Sequence, residues 1–185
     1  RLLDEERAKQ RMEEELAKPR KTWFVCCAHH PLFSNGDHGD NGVLQNTWGP
    51  LFQKFHVDFF LCGHDHDVQH LEVPGRSTSF LLAGGGGARV RPMRVDKRGP
   101  FSKSVVGFAD LSFTDSQARC RLVSGEAGKI LHEFVRSRAG DVQTTFTTTS
   151  DVATPRTIKS ITRPDAEAPA TSSTTRATTK PVDAD

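Results

Sequence analysis

The stretch that most constrains this chain is Val57-Asp58-Phe59-Phe60-Leu61-Cys62-Gly63-His64-Asp65-His66. A short run of β-branched, aromatic and aliphatic residues reads as a buried strand. It stops at a glycine, which permits an abrupt turn that a larger residue would resist. Two imidazoles separated by one residue follow directly. Sites in α/β proteins gather at the carboxyl ends of strands, and neutral imidazole is the commonest metal ligand. Seven of the eight histidines fall between His29 and His70. That concentration favours a metal or phosphate site over ordinary surface-loop histidines.

A second strand is expected at Thr22–Ala28, and it too ends in histidine, at His29-His30-Pro31. Ser34 to Gly42 is turn chemistry throughout, holding His38 with Asp37 and Asp40, which read as turn formers bonding their own backbone. From Val43 to Phe55 the apolar residues keep helical spacing, with a kink or two short helices expected at Gly49-Pro50. Strand, helix and strand make a βαβ unit, which brings both strand ends side by side. His29 then stands beside His64 and His66, with His38 leaning in from its loop. Three imidazoles suit one zinc ion; the alternation of His64 and His66 also allows each to face a different metal.

The rest of the chain reads as support. Residues 1–20 form a charged surface helix that opens in mid-helix at Arg1 and ends at Pro19, so sequence upstream is expected. Residues 21–138 form the folded unit, an α/β (α+β) arrangement. Within it, strands at 68–73 and 79–83 precede Gly84 to Gly87. No Lys-Ser/Thr follows those glycines, which excludes a nucleotide P-loop and leaves a loop approaching a crowded site closely. Arg89, Arg91, Arg94, Lys97 and Arg98 read as a solvated loop. Val105–Thr114 and Ala118–Val135 read as antiparallel strands with a hairpin at Ser124–Gly128, and His132 as a packed or surface histidine. Residues 139–185, rich in Thr, Ser and Pro, read as a disordered tail. The two ends explain a hydrophobic fraction of 35% and a mean hydropathy of −0.51. A net charge of +2 without a basic stripe does not suggest a nucleic-acid partner, and no apolar run is long enough for a membrane span. The four cysteines form no Cys-x-x-Cys pair and read as small hydrophobes, with a Cys26 or Cys27 to Cys62 disulfide as the minor alternative.

Ala28-His29-His30-Pro31-Leu32-Phe33-Ser34 and Leu61-Cys62-Gly63-His64-Asp65-His66-Asp67-Val68-Gln69 closely resemble the last two motifs of the calcineurin-like metallophosphoesterases. Within these the pattern looks most like the purple, tartrate-resistant acid phosphatase branch, over residues 21 to 136. The resemblance implies half of a four-layer αββα sandwich and a dinuclear centre of two metal ions, iron with iron, zinc or manganese. It implies hydrolysis of phosphomonoesters by attack of a metal-bound hydroxide. By position, His29 and His64 would bind a divalent ion and His66 the other metal, ferric in the purple enzymes. His38 falls where that branch keeps a histidine near the leaving group, and is the candidate catalytic residue. His30 occupies a variable position and is given no ligand role. The family's first three motifs are absent and the chain has no tyrosine. The chain therefore looks like the carboxyl-terminal half of such an enzyme. Its expected partners are a phosphate ester and the missing amino-terminal half, and alone it is expected to be inactive. Its compartment, by resemblance only, would be secreted, periplasmic or lysosomal-type. The alternatives are a non-catalytic metal-binding scaffold, or a phosphodiesterase or phosphoprotein phosphatase of the same superfamily.

Overall fold

A computed structural model of the chain describes residues 2–19, 22–94, 98–126 and 128–150. The stretch 151–185, most of the expected disordered tail, lies outside the described residues. In chain order the elements are α1 (Leu2–Leu16), β1 (Val25–Cys27), α2 (Gly42–Thr47), α3 (Gly49–Lys54), β2 (Phe59–Cys62), β3 (Val68–Glu72) and β4 (Ser79–Ala83). After them come β5 (Phe101–Lys103), β6 (Gly107–Phe113), β7 (Gln117–Ser124), β8 (Ile130–Ser137) and β9 (Val142–Thr147).

A mixed sheet of order β1-β2-β4-β3-β5 packs against an antiparallel sheet β6-β7-β8-β9. The packing follows from strand alternation. Phe60, Leu71 and Phe80 face one way and bury with Leu16, Leu51 and Phe52 of the helices. Phe59, Val68 and Leu81 face the other way and bury with Ala118, Cys120, Leu122 and Phe134 of the second sheet. The central strands are thus apolar on both faces, as a continuous run such as Phe59-Phe60-Leu61 requires. Each buried phenylalanine contributes about 3–5 kcal/mol against truncation to alanine.

The βαβ unit has the expected form: β1 pairs with β2 in parallel, Val25 opposite Phe59 and Cys27 opposite Leu61. The connecting helix breaks at Gly49-Pro50, where Pro50 opens α3 and Trp48 both ends α2 and caps α3. Proline is tolerated there because its missing N–H lies in a first turn. Gly84 and Gly85 do allow close approach. A side chain at Gly84 would lie 2.0 Å from the Asp65 carbonyl oxygen, and one at Gly85 2.7 Å from that of Val105. All four cysteines are free.

Three layers are seen: helices, mixed sheet, antiparallel sheet. The outer face of the second sheet carries Asp110, Arg121 and Glu133 in an ion-paired row, with Phe108 and Phe146 exposed beside it. One boundary differs from the expectation. The folded unit does not stop near residue 138, because Val142–Thr147 form β9, antiparallel to β8. Val142-Gln143-Thr144-Thr145-Phe146-Thr147 has little aliphatic content, but β-branched and aromatic residues suit an edge strand with one wet face.

Candidate metal centre and active site

The parallel ladder sets the first contact. Ala28 N–H donates to the Leu61 carbonyl at 3.0 Å, and Gly63 N–H donates to that of His29 at 3.1 Å. The two strands therefore run past their assigned ends in step, and His29 arrives beside Gly63 and His64. His64 adopts φ 71°, the left-handed region that residues other than glycine rarely occupy. Such a conformation costs of order 1–3 kcal/mol, and strain of this kind collects at functional sites. It turns the His64 ring back over the end of β1, where its Nδ1 lies 3.2 Å from His29 Nε2.

Four imidazoles meet here. One nitrogen from each of His29, His30 and His64 falls within a sphere of mutual distances no larger than 4.8 Å. The His38 ring lies 4.1 Å from that of His64, centre to centre. The protonated form of His64 is disfavoured, first by burial and then by the neighbouring His38, His30 and His29. Neutral imidazoles with converging lone pairs make a donor set for a zinc-like ion. A cleft of about 510 Å³ opens beside them, bounded by His30, His38, Asp40, Asn41, Asn46 and His64 among others.

His38 is held from beneath by Asp65, which is fully buried. Asp65 Oδ1 accepts from the His38 backbone N–H at 3.0 Å and lies 2.6 Å from His38 Nδ1. Its Oδ2 accepts from Ser34 Oγ. Burial opposes charge on Asp65, but the Ser34 and His38 hydrogen bonds outweigh it and lower its pKa. A charged carboxylate accepts only, so Nδ1 of His38 carries the proton and Nε2 is left as the acceptor facing Arg91 Nη1 at 2.8 Å. Asp67, two residues on, is pushed the other way. Burial raises it to about 7, against a hydrogen bond from Gln69 and with the charge of Asp65 adding to the rise. Gly36 makes this packing feasible: a Cβ there would stand 2.5 Å from Asp65 Cγ.

The arginines are not simply solvated. Arg98 bonds both carboxylate oxygens of Asp40, at 2.7 and 2.8 Å, and Arg94 lies 3.2 Å from Asp37. With Arg91 on His38 they tie residues 91–94 and Arg98 to the His38 loop. Asp37 and Asp40 are therefore more than turn formers, although Asp40 Oδ1 also accepts from Ser34 N–H at 3.0 Å.

Of the sequence-derived site residues, His29, His64 and His38 come together. His66 does not join them; its Nδ1 lies 2.9 Å from the Arg89 carbonyl. That bond places the proton on Nδ1 and leaves Nε2 unprotonated, the orientation a metal-binding histidine commonly takes. His30, given no role from sequence, stands inside the cluster. Asp65 was also missed; an acidic residue between two candidate ligands was its only local signal.

The family model described as calcineurin-like phosphoesterase matches residues 1–68. Purple acid phosphatase 17 of Arabidopsis thaliana is 30% identical over 132 residues, covering 69% of this chain and 39% of that protein. Human tartrate-resistant acid phosphatase type 5 is 31% identical over 75 residues, covering 40% of this chain and 23% of that protein. Among solved structures, purple acid phosphatase PPD1 from yellow lupin seeds superposes with a TM-score of 0.63 at 20% identity, covering 69% of this chain and 28% of that one. Plasmodium GAP50, the anchor in the inner membrane complex, gives 0.59 at 17% identity, covering 80% and 45%. The family model and these relatives make the chain similar to the calcineurin-like phosphoesterases. Within them its similarity is to the purple and tartrate-resistant acid phosphatases, of which it spans about two fifths or less.

Proposed function

We propose that this chain supplies the histidine side of a metal-dependent phosphomonoesterase centre of the acid phosphatase kind, active in a complete protein that contributes further ligands. The convergence of His29, His30 and His64 at the ends of two parallel strands carries this reading. Phosphoester hydrolysis in general follows from the relatives; the preference for monoesters rests on the purple acid phosphatase likeness.

The family likeness implies two ions. His29, His30 and His64 fit one ion. For a second ion the chain offers His66 Nε2, whose tautomer suits a ligand, but no partner for it among the described residues. A bound ion of this type acidifies water and polarises a phosphoryl oxygen. The chain's own residues do the rest. Arg91 Nη1, 2.8 Å from His38 Nε2, sets a positive charge against the ring that borders the cleft. Asp65 fixes the His38 ring through Nδ1, which leaves Nε2 towards Arg91. Once protonated, Nε2 is placed to give its proton to a departing alkoxide, help worth roughly 10²–10⁴-fold. A secreted, periplasmic or lysosomal-type compartment would accord with such an activity. Among the described residues no helix is long and apolar enough to cross a membrane.

A second reading is a non-catalytic scaffold. The incomplete donor set favours it, and GAP50 shows the same fold in a protein described as an anchor. Zinc titration of the chain, read by calorimetry and by elemental analysis after dialysis, separates the two. One retained ion per chain, lost in His29→Ala and His64→Ala, is expected. Phosphomonoester turnover by the complete protein, exceeding that on diesters, is expected beside it. No zinc retention and no turnover would leave the scaffold.

A further inference from the structure

Away from the metal site, two histidines meet between the sheets. His70 of β3 and His132 of β8 are both fully buried, and His70 Nδ1 lies 2.9 Å from His132 Nε2. Each ring is clamped by an aromatic face: His70 stacks on Phe134 at 3.6 Å and His132 on Phe101 at 5.0 Å, both nearly parallel. His70 Nε2 reaches Glu72 Oε1 at 2.8 Å, and His132 Nδ1 reaches Thr147 Oγ1 of β9 at 3.1 Å.

The proton assignment follows from the partners. Glu72 Oε1 already accepts from Ser79 Oγ, and Ser79 Oγ accepts from Arg136 Nη1, so Oε1 stands as an acceptor towards His70. His70 must then carry its proton on Nε2, which leaves Nδ1 as a lone pair. His132 Nε2–H donates to that lone pair, which leaves His132 Nδ1 as the acceptor towards Thr147 Oγ1, a hydroxyl that also has the Thr148 carbonyl in reach at 3.2 Å. One proton can be added by shifting tautomers: His70 becomes a cation donating at both nitrogens, to Glu72 and to His132. A second cannot, because two N–H groups would face each other at 2.9 Å between buried rings.

We propose that His70 and His132 form an acid-sensitive latch between the two sheets, closed while the pair carries at most one added proton and released by the second. This proposal is independent of the metal-site reading. The groups that reach the pair or its partners are Glu72 on β3, Ser79 on β4, Arg136 on β8 and Thr147 on β9, with the buried Cys120 thiol on β7 near Arg136 and Glu72. On β5, Lys103 sends its ammonium to the Thr149 carbonyl, and on β6, Asp110 pairs with Arg121 on the outer face. Among the described residues, Glu72 is the carboxylate that holds a charged His70 ring, and Arg136 opposes it. Burial pushes both histidines down, His132 to about 3 with the neighbouring His70 contributing.

The sign follows directly. Histidines in the unfolded chain titrate near ~6.5. Below that the unfolded chain takes up two protons at these positions and the closed latch takes up none or one. From these rings alone the unfolding equilibrium constant rises between about 10- and about 100-fold per pH unit as pH falls. The loss begins near the unfolded value and continues down towards the folded one.

Urea unfolding of the full 185-residue chain, followed by Trp23 and Trp48 fluorescence between about pH 7 and about pH 5, tests this. His132→Gln keeps a donor towards His70 and an acceptor towards Thr147 but cannot ionise. Its unfolding constant should depend less steeply on pH than wild type, by about tenfold per unit. Equal slopes would overturn the proposal. Imidazole nitrogen NMR on the unsubstituted chain gives a second measure that needs no variant. Both rings should appear as Nε2–H tautomers and never be doubly cationic while the chain is folded. Two cationic rings in the folded state, or a Nδ1–H tautomer at His70, would overturn it.

Discussion

Replacing Gly84 with alanine would place a methyl group where the metal-site turn already stands. A Cβ at that position lies 2.0 Å from the Asp65 carbonyl oxygen and 3.1 Å from the Gly63 carbonyl carbon. Real contacts of this kind essentially never fall below 3.0 Å, so the turn must retreat by about 1 Å. Both neighbours are backbone, so no side-chain rotation can relieve the clash. Gly84 N–H also donates to the Asp67 carbonyl at 3.1 Å, a bond that the retreat would stretch. Overpacking of this sort costs about 1–3 kcal/mol, and a backbone hydrogen bond about 1 kcal/mol more. Gly84→Ala should therefore lose about 2–4 kcal/mol in urea unfolding. Gly86→Ala is the control, since nothing lies within 4 Å of a Cβ there; it should change stability by no more than about 0.5 kcal/mol. His64 and His66 flank Asp65, so the shift also displaces both rings. Zinc affinity of the chain should fall, and in a complete enzyme a misplacement near 1 Å costs about 10²-fold in rate. Gly84→Ala with the stability and zinc affinity of Gly86→Ala would refute the reasoning.

His38→Ala in the complete protein should keep its metal, lose little on an activated aryl phosphate, and lose about 10²-fold or more on an alkyl phosphate, whose leaving group needs a proton. Equal losses on both esters, with metal content intact, would show that His38 positions phosphate instead. Asp65→Asn should leave zinc binding by His29 and His64 in place but release the His38 ring, seen as loss of its Nδ1–H tautomer by nitrogen NMR. Because Asp65 is held charged in the fold, its contribution to stability is present above about pH 4 and lost as pH falls further. Urea unfolding of Asp65→Asn should show a correspondingly shallower acid dependence.

What could be read from the sequence was what short-range patterns encode. Apolar runs, one ending in histidine and the other at a glycine, located β1 and β2, helical spacing interrupted by Gly49-Pro50 located α2 and α3, and their succession implied a parallel pair with adjoining ends. The polar framework is different in kind. Ser34 meets Asp65, His38 meets Arg91, Asp40 meets Arg98 and His70 meets His132, each across tens of residues. No periodicity predicts such pairs, and side chains that look like loop polarity become buried partners only once the sheets are stacked. β9 was missed for a related reason. Its residues lack the aliphatic content that marks a strand in isolation, and what recruits them is the free edge of β8.

The His-Asp-His turn shows how far local reasoning carries and where it stops. In an extended strand, residues 64 and 66 would share a face and residue 65 would take the opposite one. Strand reasoning therefore leaves two outcomes, a shared ion or adjacent ions. The left-handed conformation of His64 breaks that alternation at its first residue. His64 turns to His29, Asp65 drops into the buried position beneath His38, and His66 points to the Arg89 carbonyl. One strained backbone angle thus sends three consecutive side chains to three different partners. Gly84 against the turn leaves the room this requires. That glycine was visible in the sequence, but the direction in which each side chain leaves the turn is a property of the folded backbone.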